Sequence, residues 1–187
     1  MTLAIPGTHT ERASLYHCDY TTLAAAMREA GTVADALIVD APYSERTHAG
    51  HDNGTASANR SRAWTPRSEA RRSRASLAEL SGVLARREID YAAWDGEDVS
   101  AFARAFSPSV RGWMCSLTDH VLAGAWEVAM VGAGRYVFSP LACVESGSRV
   151  RLGGDGPSQW STLLVTSRPR TREWQSWGTL PGAYVGT

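Results

Sequence analysis

Asp40, Ala41, Pro42 and Tyr43 follow directly on the apolar run Ala36–Val39. A strand of that kind delivers a carboxylate, a rigid turn and an aromatic ring in succession, at the strand end where an α/β sheet binds its ligands. Pro42 fixes the turn and removes a backbone donor that would compete for acceptors. The plain alternative is an ordinary strand end followed by a Pro-Tyr turn. Two further carboxylates stand in comparable places, Asp19 after Leu15-Tyr-His-Cys and Asp119 after Trp113–Thr118. Asp40 and Asp119 together make a candidate general acid and base acting on a small molecule. Asp19, Asp119 and the adjacent His120 are equally suited to capping the helices that follow them.

Arginine supplies the second chemical signal. Arg60, Arg62, Arg67, Arg71, Arg72 and Arg74, with Trp64 among them, have the makeup of a nucleic-acid arm that orders on contact with phosphate. A solvated linker is the alternative. All 19 basic residues are Arg, whose planar fork suits phosphate and guanine edges. His48, His51 and Asp52 have a spacing that would grip a metal on a helix, but a further ligand is lacking and no metal is expected. Cys18, Cys115 and Cys143 are odd in number, far apart and set in apolar runs, which predicts buried reduced thiols.

The elements that must position these residues alternate in type. Ser14–Cys18 reads as a short strand and Thr21–Ala30 as a helix with Leu23 and Met27 on one face, stopped by Gly31. With the strand Ala36–Val39 they make a strand, helix, strand unit, predicted to be a parallel crossover. Residues 44–75 change to Ser, Thr, Arg, Asn, Gly and His without apolar periodicity, the mark of a long loop or basic insertion. A helix is predicted over 76–87. A better one starts at Asp95 as N-cap and carries Val99, Phe102, Ala103 and Phe106 at i, i+3, i+4 and i+7, until Pro108. Gly112–Leu117 is the next strand. Val121–Ala133 is the next helix, with Leu122, Ala125, Trp126 and Ala129 on one side and Gly134 as its stop. Tyr136–Val144 and Trp160–Thr166 read as two more strands. This order predicts one α/β domain over residues 1–187, with helices on both faces of its sheet.

Composition narrows the class. A chain of 187 residues with 43% hydrophobic content buries a core without disulfides or metal. No run of about 18 apolar residues occurs and the amino terminus has no signal-peptide pattern, so no membrane span and a cytoplasmic location are expected. The net charge of zero conceals a segregation. Residues 45–87 hold nine Arg against four acids, and residues 88–145 three Arg against eight acids. The charge of one stretch thus offsets that of the next.

Asp40-Ala41-Pro42-Tyr43 resembles the Asp-Pro-Pro-Tyr catalytic motif of the amino-group DNA methyltransferases, which act on adenine N6 or cytosine N4. Ala41 stands where the family has its first proline, and the acceptor carbonyl remains. The match extends upstream to Leu15–Asp19 and downstream to Trp113–His120, to Gly153–Trp160 and to Thr166–Pro169, which are similar to phage-type members. It covers roughly residues 14–187 in order. The resemblance implies a Rossmann-like methyltransferase sheet, S-adenosylmethionine as cofactor, DNA as partner and a place in restriction-modification. An exocyclic amine conjugated to its ring is a poor nucleophile, so its hydrogens need acceptors. By the resemblance the Asp40 carboxylate and the Ala41 carbonyl serve that purpose, while Tyr43 stacks on a base taken out of the duplex. Asp19 would approach the adenosine part of the cofactor, and Asp119 and His120 would line the pocket. Asp in the first motif position favours adenine.

The family's glycine-rich cofactor loop, typically Asp-Pro-Phe-x-Gly-x-Gly, has no counterpart in the chain. Gly132-Ala-Gly134 and Gly153–Gly156 read as turns. In the permuted class that begins with the catalytic half, this loop comes later than Tyr184–Thr187. The chain is therefore expected to be incomplete at its C-terminus and inactive in isolation. A truncated, split or degenerate enzyme would look this way, with a second polypeptide or second copy supplying the cofactor half. A catalytically silent DNA-binding module of the same fold is the competing reading.

Overall fold

The computed structural model describes residues 3–47, 91–145, 161–171 and 181–186. Two short strands open it, β1 (Gly7–His9) and β2 (Ser14–Tyr16), paired antiparallel. The connecting turn is closed locally, since Thr10 N–H donates to Ala13 O at 2.8 Å and Thr10 Oγ1 accepts from Ala13 N–H at 3.0 Å. The predicted parallel crossover is therefore corrected. Ser14–Tyr16 finds its partner a few residues away and stays outside the main sheet, with Leu15 72% exposed.

Asp19 caps α1 (Tyr20–Glu29), and Gly31 beyond its end has φ +60°, the left-handed conformation that suits a residue without Cβ. Strand β3 (Ala34–Asp40) follows. Helix α2 (Gly96–Phe106) starts with a capping box in which Asp95 and Asp98 each take the other's backbone N–H. Its Val99, Phe102, Ala103 and Phe106 are all buried, as their spacing predicts. Pro108 sits in a short 3-10 turn over Ser107–Ser109, which leads into β4 (Val110–Thr118). Helix α3 (Ala123–Gly132) ends before Gly134, which has φ +80°. The predicted strand Tyr136–Val144 is broken into β5 (Arg135–Val137) and β6 (Leu141–Glu145), with Pro140 between them. Strands β7 (Ser161–Pro169) and β8 (Ala183–Gly186) complete the set.

These elements form a mixed α/β fold, a central sheet flanked by helices. Strand order is β3-β4-β7-β6-β8, with β5 also on β7. β3 and β4 run parallel with Asp40 opposite Leu117, so the crossover that matters is β3 to α2 to β4. β7 is antiparallel to β4 on one edge and to β5 and β6, end to end, on the other. The core joins Ala24 of α1, Phe102 and Phe106 of α2 and Trp126 and Met130 of α3 to Val110, Met114 and Val165 of the sheet. These strand residues, with Leu37 and Val39, occupy one face, so all three described helices pack there. The alternate positions carry Ile38, 78% exposed, and Trp113, whose ring meets Phe138 at 5.6 Å. Among the described residues β3 has no neighbour on its second edge.

Cys18, Cys115 and Cys143 are free thiols. Cys18 is exposed, contrary to the expectation of burial, because it lies in the open link between β2 and α1. Among the described residues no helix is long and apolar enough to cross a membrane.

Candidate active site

The carboxyl ends of the parallel strands β3 and β4 bring Asp40 and Asp119 to one edge of the sheet. Ala41 is buried there, Pro42 and Tyr43 are half-buried, and the Asp40 side chain stays accessible. Asp40, Ala41, Pro42 and Tyr43 line a cleft of about 280 Å³ together with Tyr91. The four-residue motif thus forms one wall of a single depression, and the second aromatic ring comes from the far side of the insertion. Tyr91 escaped the sequence reading because it belongs to no periodic pattern. Nothing in the residues around it marks it out from other surface tyrosines.

Within the cleft the Tyr43 hydroxyl donates to Asp40 Oδ1 at 2.9 Å. Burial, and then the hydrogen bond to Asp40, push the Tyr43 phenol up to about 12, while a hydrogen bond with Thr162 works against the rise. The hydroxyl therefore remains a donor throughout the neutral range. Donating one hydrogen to Oδ1 leaves the carboxylate most of its acceptor capacity. Ala41, 5% exposed, belongs to the same wall.

The chain on either side of Tyr43 is held from two directions. Trp94 N–H donates to Tyr43 O at 3.1 Å, and the Trp94 ring is fixed by Tyr20, Phe102 and Trp126 at centroid distances of 5.7, 5.5 and 6.3 Å. On the other side Asp119 Oδ2 accepts from Ser44 N at 3.0 Å, from Ser44 Oγ at 2.5 Å and from Thr47 Oγ1 at 2.6 Å. Its Oδ1 accepts from the backbone N–H of Val121 and Leu122, both at 3.0 Å. Burial alone would raise the Asp119 carboxyl, but the bonds from Ser44 and Thr47 hold it below the ordinary value. A carboxylate offers roughly four acceptor sites. Five protein donors meet them here, which gives Asp119 a structural role in this fold. Ser44 and Thr47 carried no chemical signal in the sequence, since short hydroxyl residues after a turn are commonplace.

Asp19 is exposed at the start of α1, where Oδ1 accepts from Thr21 N at 2.8 Å and Thr21 Oγ1 at 2.6 Å. These two bonds lower its carboxyl, with Thr21's hydroxyl the larger cause. The helix-capping reading is thus realised. His120 is exposed beside the buried Asp119. Arg60, Arg62, Arg67, Arg71, Arg72 and Arg74, with Trp64, His48, His51, Asp52 and the glycines at 153–156, lie outside the described residues.

A parallel strand pair joined through a helix, an antiparallel strand beside it and a cleft at the carboxyl edge make up a mixed α/β arrangement. Two solved structures share that fold. Both are of M1.HpyAVI. The complex of M1.HpyAVI with SAM matches with TM-score 0.50 and 11% identity over 84% of this chain and 55% of that one. A second M1.HpyAVI structure matches with TM-score 0.52 and 11% identity over 91% of this chain and 64% of that one. The chain thus spans a little over half to two thirds of the length of these structures. No protein-family model and no curated protein matches it.

Proposed function

We propose that the chain carries the catalytic part of a DNA methyltransferase that moves a methyl from S-adenosylmethionine to the exocyclic amine of a flipped base, adenine N6 ahead of cytosine N4. One observation carries this reading: Asp40, Ala41, Pro42, Tyr43 and Tyr91 line one cleft at the carboxyl end of β3. The Asp40 carboxylate and the Ala41 carbonyl accept the two amine hydrogens and favour a pyramidal nitrogen with its lone pair directed outward. Tyr43 and Tyr91 offer aromatic faces to the base, and base–aromatic stacking is worth about 1–3 kcal/mol per base. The cleft fits a base in character, since its described lining combines a carboxylate with aromatic rings. S-adenosylmethionine, when bound, supplies a methyl already activated on a sulfonium.

For the cofactor itself the fit is partial. Asp19 is exposed and in this reading approaches the adenosine part, but neither described left-handed glycine, Gly31 or Gly134, leads from a strand into a helix. The reading therefore includes a cofactor half supplied by a further stretch of polypeptide, whether a longer chain, a second polypeptide or a second copy. The second edge of β3, which has no neighbour among the described residues, is suited to receive it. The narrower class, permuted and phage-type, and the role in restriction-modification rest on the sequence resemblance.

The test is transfer of a labelled methyl into DNA by an enzyme with its cofactor half present. Asp40→Ala abolishes transfer in this reading and leaves DNA binding intact. Full activity in that variant removes Asp40 from the chemistry, and DNA binding without transfer in any preparation favours the silent binding module. The arginine arm is tested separately. Changing Arg71, Arg72 and Arg74 to Ala weakens binding to all sequences and flattens its salt dependence by up to about three charge contacts. An unchanged slope returns the segment to the linker class.

A further inference from the structure

Asp119 divides its two oxygens between two tasks. Oδ1 receives the Val121 and Leu122 N–H groups, which is all that capping the turn into α3 requires. Oδ2 receives nothing from its own neighbourhood. Its donors are Ser44 and Thr47, separated from it by 75 and 72 residues of sequence. Asp119 and Ser44 are each only 4% exposed, so water is in no position to replace these bonds. The peptide group between Tyr43 and Ser44 is consequently held at both polar ends, its carbonyl by Trp94 N–H and its N–H by Asp119. A peptide plane fixed at both ends has no freedom to rotate. Tyr43, whose hydroxyl meets Asp40, is attached directly to it.

We infer that Asp119 is a positioning residue: through Oδ2 it clamps the peptide after Tyr43 to the turn before α3, and so sets the orientation of the Asp40–Tyr43 cleft. The clamp itself stands on geometry alone. Its consequence for methyl transfer rests on the function proposed above, in which displacing reacting groups by about 1 Å costs on the order of a hundredfold in rate.

Two substitutions separate clamping from capping. Asparagine caps helices as well as aspartate does, so Asp119→Asn keeps Oδ1 on Val121 and Leu122 but turns an amide donor toward the donors of Ser44 and Thr47. Asp119→Ser also caps, is too short to reach Ser44, and introduces no opposed donor if the asparagine variant does not fold. The probe is 3-fluorotyrosine placed at position 43 of the full chain and read by fluorine NMR at neutral pH. A clamp predicts that in whichever variant folds, the resonance leaves its wild-type position and moves toward that found in Asp40→Ala, where the hydroxyl has lost its acceptor. A folded variant with the wild-type resonance overturns the inference, since a helix cap alone would leave Tyr43 undisturbed. In a preparation competent for transfer, Asp119→Asn lowers kcat about ten- to a hundredfold while KM for the cofactor holds. Should no preparation transfer methyl, the fluorine measurement still decides the clamp, so the two readings fail separately.

Discussion

Replacing Tyr43 by phenylalanine removes one oxygen and leaves the ring in place, which separates the two roles the side chain has in the cleft. The oxygen donates to Asp40 Oδ1 at 2.9 Å, and with the phenol pushed up to about 12 it keeps its proton near neutral pH. A hydrogen bond to a charged acceptor is worth about 1.5–3 kcal/mol. Tyr43 is half-buried and Asp40 accessible, so solvent takes part of that and about 1–1.4 kcal/mol remains. If the bond serves to aim the carboxylate at the incoming amine, that loss falls on the transition state and slows transfer about five- to tenfold. Binding of DNA should be unchanged, because stacking needs only the ring. Tyr43→Ala, by contrast, forfeits about 1–3 kcal/mol of stacking and weakens binding as well. Single-turnover methyl transfer, measured beside the DNA affinity of each variant, resolves the two. A Tyr43→Phe enzyme as fast as wild type would refute the aiming role. One faster than wild type would mean that the hydroxyl competes with the amine for Oδ1.

Two further expectations concern stability. Arg135 is 3% exposed and its guanidinium donates to Ser167 Oγ at 2.9 Å, to Val110 O at 3.2 Å and to Gly112 O, joining β5 and β7 to the start of β4. Burial lowers its pKa to about 10, so desolvation offsets part of what these bonds contribute. Arg135→Met strands buried carbonyls and should cost about 2–4 kcal/mol in urea denaturation, whereas unchanged stability would deny the staple any energetic role. Asp119 gives a pH dependence of definite sign. Its carboxyl is lowered in the folded chain, so the native state binds fewer protons than the unfolded one near the ordinary carboxylate value of about 3.9. The resulting stability is fully present above that value and is lost as pH falls through the lower, folded one. Urea midpoints measured from about pH 6 down to 3 should therefore decline less steeply in Asp119→Asn, which has no charge to titrate. Parallel declines would assign the acid sensitivity to other carboxylates.

Sequence alone determined the features whose causes act within a few residues. The Asp95 cap and the buried faces of α2 followed from spacing, because a helix period and a capping box are local properties. Gly31 and Gly134 were legible as helix stops for the same reason, since positive φ is cheap only without a Cβ. The apolar run into Asp40-Ala41-Pro42-Tyr43 marked the carboxyl end of a strand, and with it the wall of the cleft. The tertiary structure decided what depends on partners distant in the chain. It paired Ser14–Tyr16 with Gly7–His9 across the turn that Thr10 closes, and strand pairing leaves no mark on a three-residue segment. It added Tyr91 to the cleft and left Ile38 exposed, although the apolar run of β3 reads as that of a buried strand. Asp119 illustrates the division most clearly. A carboxylate ahead of a helix is recognisable as a cap, but the use of its second oxygen depends on Ser44 and Thr47 arriving from more than seventy residues away, and only the closed fold fixes that distance.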